Sequence, residues 1–175
     1  MTVIIVPGIH QQELTASFLL GVTTAPVEWL IFPTQDKSAY SGSDVLRFLH
    51  KSKGKPSRAE PVLFICFSAG VVGAMGAAIA WEFAGGQVKA LMAVDGWGVP
   101  LTGNFPLHRL SHDYFTHWSS LAGANSFYAE PAVAHLHLWS NPQTTLGWWV
   151  KAPGLQVRCS ATEFFRIFLA KYEEL

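Results

Sequence analysis

One uncharged stretch does most to limit how this chain can fold. No charged residue occurs from Pro61 to Trp81, which is long enough to raise the question of a membrane-spanning helix. The stretch is not uniform, because Val62 to Ile65 favours a β-strand whereas Val71 to Ala80 is rich in Gly and Ala. Ser68-Ala69-Gly70 separates the two parts and is compatible with a turn. We therefore predict a buried strand, a tight turn and a buried helix in place of a transmembrane segment.

Further apolar runs and helical patterns alternate along the chain. Strands that alternate with helices at this spacing form right-handed βαβ units and a parallel sheet. We predict an α/β fold, a three-layer sandwich with a mostly parallel, doubly wound sheet, in a single domain over residues 1–175. The predicted strands are Val3–Val6, Val27–Phe32, Val62–Cys66, Val88–Val94 and Ser126–Ala129, and the predicted helices are Gln11–Leu20, Asp44–His50, Ala69–Phe83 and Pro131–Trp139.

Three helix ends carry recognisable signals. Ser43 is the predicted N-cap of the second helix, and Gly85-Gly86 is expected to end the third. Ser160-Ala161-Thr162-Glu163 reads as a capping box that opens a last amphipathic helix. The apolar side chains of this last helix are expected in the core: Phe164, Phe165, Phe168, Leu169 and Tyr172.

Composition excludes several classes of protein. Charged residues make up 14% of the chain and hydrophobic residues 50%, which excludes disorder. Acidic and basic residues balance, so no overall field recruits nucleic acid, and the basic stretch Lys51 to Arg58 reads as a solvated loop. The two cysteines, Cys66 and Cys159, do not form a disulfide framework, which favours a cytoplasmic location.

The turn after the third strand has the composition of a nucleophile elbow. In Cys66-Phe67-Ser68-Ala69-Gly70 the residues two positions before and after Ser68 are small, as a sharp strand-to-helix turn requires. The helix that follows contains Gly70, Gly73 and Gly76, which keep one helical face narrow and let the helix sit close to the sheet. Ser68 is therefore the candidate nucleophile, although a tight turn without catalysis also explains the pattern.

These residues resemble those of the α/β-hydrolase superfamily, in a short, minimal form. The likeness covers roughly residues 1 to 100 and the last helix, and the elbow and Pro7-Gly8-Ile9-His10 after the first strand carry it. The resemblance implies a Ser–His–acid triad that acts on an ester, thioester or amide. It also implies an oxyanion hole formed by the backbone N–H groups of Ile9 and Ala69.

The acid of the triad has two candidates. Asp95 ends the buried fourth strand, at the edge of the sheet where sites of open α/β sheets form, and is the first choice. Glu130 follows the fifth predicted strand and is the alternative. Asp95-Gly96 is also an ordinary turn signal.

The base is less well determined by the sequence. Members of the superfamily carry a histidine just before the final helix, but the segment Gly154 to Ser160, read as a loop, has none. We favour His112, with His117 and His135 as alternatives. A metal site would use the same region, because His108 and His112 have the spacing of two ligands on one helical face, but no Glu accompanies them as in H-E-x-x-H and no metal is predicted.

The sequence thus predicts a serine hydrolase that acts on a small ester or thioester without a cofactor. His10 and Trp97 are expected in the substrate pocket, and some of the many aromatic residues are compatible with a homodimer contact. The alternative is a non-catalytic α/β-hydrolase-like protein that binds a ligand or partner through its aromatic surface. A third, weaker interpretation is a membrane-associated protein.

Overall fold

The structure is a computed structural model that describes residues 1–23, 27–120 and 125–174. Two compact units make up the chain: residues 1–9 and 26–107 form the first, and residues 10–25 and 108–175 form the second. A short 3-10 helix, Pro56–Arg58, precedes the third strand. In chain order the other elements are β1 (Thr2–Val6), α1 (Gln12–Val22), β2 (Glu28–Ile31), α2 (Gly42–Lys53), β3 (Val62–Phe67), α3 (Gly70–Phe83), β4 (Val88–Val94), β5 (Leu107–Ser111), α4 (Tyr114–Ser119), β6 (Ser126–Ala129), α5 (His135–Ser140), β7 (Leu146–Ala152), β8 (Leu155–Ser160) and α6 (Ala161–Glu174).

The first unit is built on parallel strands in the order β2-β1-β3-β4. Strands β1 and β3 are buried along their whole length and consist mainly of Val, Ile, Leu and Phe, as expected of parallel strands covered on both faces. Side chains from the strands meet Val45 and Leu49 of α2 and Trp81 of α3 in one apolar core.

Glycine allows α3 to pack closely against its neighbours. A Cβ atom on Gly73 would lie 2.1 Å from the carbonyl oxygen of Ala39, and one on Gly76 would lie 3.4 Å from Cα of Gly42. The prediction that the three glycines let α3 sit close to the sheet holds for Gly70, which lies against the end of β1. Gly73 and Gly76 instead face the chain before α2 and the start of α2 itself.

The second unit combines parallel and antiparallel strands in the order β5-β6-β7-β8. Strand β5 is parallel to β6, whereas β7 is antiparallel to both β6 and β8. Helix α1, which comes from the early part of the chain, packs on α5 and α6 of this unit. Phe18 stacks on Trp139 with ring centroids 3.9 Å apart and meets the edge of Phe165 at 5.1 Å.

Most predicted elements are confirmed, including the α/β class and the predominance of parallel strands. Ser126–Ala129 is β6, and the five apolar side chains that the last helix was expected to place in the core are all buried. Gly85 lies just beyond α3 with φ +88°, as expected of a glycine that ends a helix. The two units are defined by where contacts between residues are dense. That the chain forms a single domain stays a prediction.

Four predictions need correction. Helix α2 begins earlier than predicted, because Ser41 and not Ser43 accepts a hydrogen bond from the Asp44 N–H. Strand β2 is shorter than predicted, and α5 begins at His135, since Pro131 to Ala134 precede it in a non-helical connection. The presumed loop Gly154 to Ser160 consists largely of strand β8, which forms a hairpin with β7.

The membrane-spanning alternative finds no support among the helices that the structure describes. None of them combines the length and the apolar character needed to cross a bilayer.

Candidate active site

Ser68 occupies a sharp turn between β3 and α3, as predicted. Its φ is +52°, a left-handed value that residues other than Gly, Asn and Asp rarely adopt. The Ser68 N–H donates to the Val94 carbonyl at 2.9 Å, which ties the turn to the neighbouring strand β4. The residue is half-buried. A strained backbone of this kind costs about 1–3 kcal/mol and is concentrated at functional sites.

The small residues around Ser68 are required by close backbone contacts. A Cβ atom on Gly70 would lie 2.3 Å from the Val6 carbonyl oxygen and 2.5 Å from that of Pro7. On the other side of the turn, Cys66 is buried and its Sγ atom donates a hydrogen bond to the Met92 carbonyl at 3.4 Å. The sharp turn at Ser68 therefore requires glycine at position 70, because any larger residue would collide with the backbone at the end of β1.

The segment after β1 lies directly against the elbow. A Cβ atom on Gly8 would lie 3.0 Å from Cβ of Ser68, so the backbone of this segment passes next to the candidate nucleophile. Ile9 follows and is 75% exposed. Ala69 has helical φ and ψ at the start of α3, where backbone N–H groups lack acceptors within the helix. Ile9 and Ala69 thus belong to the two segments that meet at Ser68.

Asp95 occupies the turn after the adjacent strand β4. It is 6% exposed and has φ +49°, so this strand also ends in a left-handed residue. Phe67 pairs with Val94 in parallel register, which places Ser68 and Asp95 one residue beyond the same pair of positions. Trp97 follows two residues later and is 65% exposed.

In the second unit, His112 and His135 lie against each other. His112 directly follows β5 and His135 follows β6, and these strands are parallel. The two imidazole rings meet edge to face with centroids 5.9 Å apart. The Val133 N–H donates to the His112 carbonyl at 3.0 Å, which holds the two connections together.

Asp113 is a carboxylate that the sequence analysis did not consider as the acid. Its Oδ2 atom lies 3.5 Å from Nε2 of His112, and its Oδ1 atom accepts a hydrogen bond of 2.7 Å from the Thr116 N–H. Burial opposes the charged form, but the hydrogen bonds from Thr116 outweigh it and hold the pKa of Asp113 below its usual range. Its position directly after His112 in the chain was the sequence signal that could have identified it as a candidate acid.

The other predicted residues of the second unit have different surroundings. Nε2 of His117 lies 2.7 Å from Oγ of Ser126, and burial, reinforced by the positive charge of Arg109, lowers the pKa of His117. Glu130 is exposed, and one of its carboxylate oxygens accepts a hydrogen bond from the Trp148 indole at 2.6 Å.

His10 belongs to the second unit, whereas Trp97 belongs to the first. The Nδ1 atom of His10 donates to the Gln11 carbonyl at 2.8 Å, and its ring lies 6.3 Å from that of Trp139.

His108 does not have the helical position that the metal hypothesis assumed. It lies in strand β5 and is 3% exposed. Its Nδ1 atom donates to the Asn125 carbonyl at 3.2 Å, and Nε2 accepts from the Tyr172 hydroxyl at 2.7 Å. Both ring nitrogens of His108 are therefore engaged by other groups of the protein.

Comparison with models of known protein families and with curated proteins finds no match for this chain.

Proposed function

We propose that this protein is a serine hydrolase of the minimal α/β-hydrolase type, acting on a small ester or thioester with Ser68 as nucleophile. One observation carries the proposal: Ser68 has φ +52° between a buried strand and a helix, and Gly8 and Gly70 leave no room for larger side chains beside it. A catalytically silent turn has no evident reason to hold a serine in this strained conformation.

In the proposed reaction, Oγ of Ser68 attacks the carbonyl carbon while a histidine takes the hydroxyl proton. The backbone N–H groups of Ile9 and Ala69 stabilise the negative oxygen, a contribution of about 3–4 kcal/mol per donor in such reactions. The histidine then gives this proton to the leaving alkoxide or thiolate as the C–O or C–S bond breaks, and the alcohol or thiol departs. Water hydrolyses the acyl-serine by the same steps and returns the proton to Ser68.

His112 is the first candidate for the base and His135, which contacts it, is the second. His117 is less suited, because its Nε2 atom already meets the Ser126 hydroxyl. For the acid, Asp95 remains the first choice and Asp113 joins Glu130 as an alternative, since its carboxylate lies 3.5 Å from the His112 ring.

Labelling with a fluorophosphonate probe tests the nucleophile. Wild-type protein and the control variant Ser57→Ala, which alters an exposed serine of the first unit, are expected to label at the same rate. Ser68→Ala is expected not to label. The cysteines should not interfere, because burial, followed by the charge of Glu163, raises the pKa of Cys159 to about 11, and Cys66 is buried. Labelling that persists in Ser68→Ala would disprove the assignment.

The same assay identifies the base and the acid. Loss of a general base lowers the rate by about 10²–10⁴-fold, so this loss should appear in one of His112→Ala and His135→Ala and be absent from His117→Ala. The labelling rates of three further variants then show which carboxylate supports the base: Asp95→Asn, Asp113→Asn and Glu130→Gln.

The non-catalytic alternative rests on the absence of a histidine after His137, since α6 begins directly from β8. If folded wild-type protein neither labels nor hydrolyses 4-nitrophenyl acetate, the binding protein becomes the better description.

A further inference from the structure

The second unit contains an open cleft that the proposed hydrolase chemistry does not use. Its volume is about 580 Å³, and its walls come from α4, β6 and the β7–β8 hairpin. Binding sites for small molecules are clefts of about 300–1,000 Å³, so the space suits a ligand of modest size. The candidates for acid and base named first above, Asp95 and His112, are not among its lining residues.

The lining of this cleft is positively charged. Arg109 and Lys151 contribute permanent cations, and no Asp or Glu occurs among the lining residues that the structure describes. Arg109 is 3% exposed, so its charge acts where water screens it weakly. Burial, and after it the charge of Arg109, lowers the pKa of His117, which also lines the cleft. An anion that enters would therefore gain more here than at the protein surface.

Aromatic rings form the remaining wall. Tyr114 and Tyr128 meet edge to face with centroids 5.1 Å apart, and the His117 ring lies 5.0 Å from that of Tyr128. Tyr114 and Trp118 are 59% and 65% exposed, so both present ring surface to solvent beside the cleft. A planar apolar group would cover this surface.

Hydrogen-bonding groups keep the polar parts of the lining in place. Asn125 accepts a hydrogen bond from the Trp149 indole at 3.1 Å, and the Lys151 ammonium lies 4.2 Å from the centre of the Trp149 ring. The Tyr128 hydroxyl lies 3.5 Å from Oε1 of Gln156. Asn125 and Tyr128, which both line the cleft, thus have hydrogen-bond partners that hold them in place.

We propose that this cleft binds a small aromatic anion, whose carboxylate or phosphate meets Arg109 and Lys151 and whose ring packs on Tyr114 and Trp118. Arginine presents several N–H donors in a planar fork that matches the oxygens of either group, and lysine adds a point charge. The proposal does not depend on Ser68, so it can hold or fail independently of the hydrolase.

Isothermal titration of Ser68→Ala protein with phenyl phosphate and benzoate tests the proposal. This variant removes the candidate nucleophile, so no covalent reaction contributes heat. Inorganic phosphate carries the charge without the ring, and benzamide carries the ring without the charge. We expect phenyl phosphate or benzoate to bind at least ten times more tightly than either control. The comparison between phenyl phosphate and benzoate identifies the preferred anion.

Variants locate the site on the same Ser68→Ala background. Lys151→Met is expected to weaken binding about tenfold and Tyr114→Leu about fivefold, and both change half-buried or exposed side chains without emptying the core. Lys55→Met, an exposed lysine of the first unit, is the charge-matched control and should not change affinity. The proposal would be overturned if benzamide or inorganic phosphate bound as tightly as the better of the two aromatic anions, or if neither aromatic anion bound. It would also be overturned if Lys151→Met and Tyr114→Leu left the affinity unchanged.

Discussion

At Ser68 the backbone holds a conformation that is costly for serine and easy for glycine. The φ of +52° predicts that Ser68→Gly relieves strain that Ser68→Ala retains. We expect the glycine variant to be more stable than the alanine variant by about 1 kcal/mol, as measured by urea unfolding. Neither variant should label with the fluorophosphonate probe.

The matched control for this prediction is Ser43, an exposed residue inside helix α2. There, the Ser43→Gly variant should be less stable than the Ser43→Ala variant by about 0.5–1 kcal/mol. The backbone is helical at this position, and glycine loses more conformational entropy on folding. If glycine and alanine rank in the same order at both positions, Ser68 is not strained.

Single residues could be predicted from the sequence where the neighbours that define them are close along the chain. Ser68 is such a case, since small residues on both sides of it specify the turn. The base could not be chosen, because seven histidines are present and what distinguishes them comes from other segments. His117 meets Ser126 and His108 meets Tyr172, contacts that no local pattern indicates.

At the scale of elements, the start of α3 tolerates no side chain at Gly70. The Cβ atom of Gly70→Ala would lie 2.3 Å from a backbone oxygen that cannot move without shifting β1, and we expect a loss of at least about 2 kcal/mol in unfolding free energy. Gly76→Ala is the matched change in the same helix, where the nearest atom is 3.4 Å away. This variant should gain up to about 1 kcal/mol from helix propensity. Equal effects would contradict the close contact.

The capping box of α6 makes part of its stability dependent on pH. Glu163 accepts hydrogen bonds from the Ser160 N–H and hydroxyl, and these bonds lower the pKa of Glu163 in the folded protein. A lowered folded-state pKa means that the contribution is complete above the unfolded-state pKa and is lost as the pH falls through the folded-state value. Glu163→Gln should therefore be less stable than wild type near pH 7, and the difference should shrink as the pH falls below the usual pKa of glutamate.

Urea unfolding of both proteins at several pH values measures this effect. Glu173→Gln, on the last turn of the same helix, provides a control whose difference from wild type should not follow that course. A difference between wild type and Glu163→Gln that stays constant down to pH 3 would show that the carboxylate adds nothing to the cap.

Elements were predictable where burial and composition agree. Strands β1, β3 and β4 are apolar except for Thr2 and Lys89, and α6 has both a cap and an apolar stripe. Strand β5 was missed because it carries His108 and Arg109, both buried, and their polar character hides the strand. Strand β8 does alternate between apolar and polar residues, and the turn at Pro153-Gly154, with φ +76° at Gly154, was a signal for the hairpin.

At the scale of the whole molecule, each unit is assembled from two separate segments of chain. The early helix α1 therefore contributes to a core whose other members come from the last third of the sequence. Phe18 is fully buried there. We expect Phe18→Ala to cost about 3–5 kcal/mol, because the cavity would lie between Trp139 and Phe165. Leu20→Ala, on the same helix but 86% exposed, should change stability by less than about 0.5 kcal/mol.

Urea unfolding followed by circular dichroism measures both variants. An equal loss in the two, or no loss in Phe18→Ala, would show that α1 does not anchor the core of the second unit.

The contact between α1 and α5 cannot form during synthesis until the ribosome has made α5. Thr15 receives a hydrogen bond from the Trp139 indole across 124 residues of chain. At about 5–20 residues per second, the ribosome needs roughly 6–25 s to make the intervening chain. During that interval Phe18 has no partner ring, while the strands of the first unit emerge and can pair. Until Trp139 has been made, the apolar side chains of α1 thus lack their native partners, and transiently exposed apolar surface of this kind is what chaperones bind.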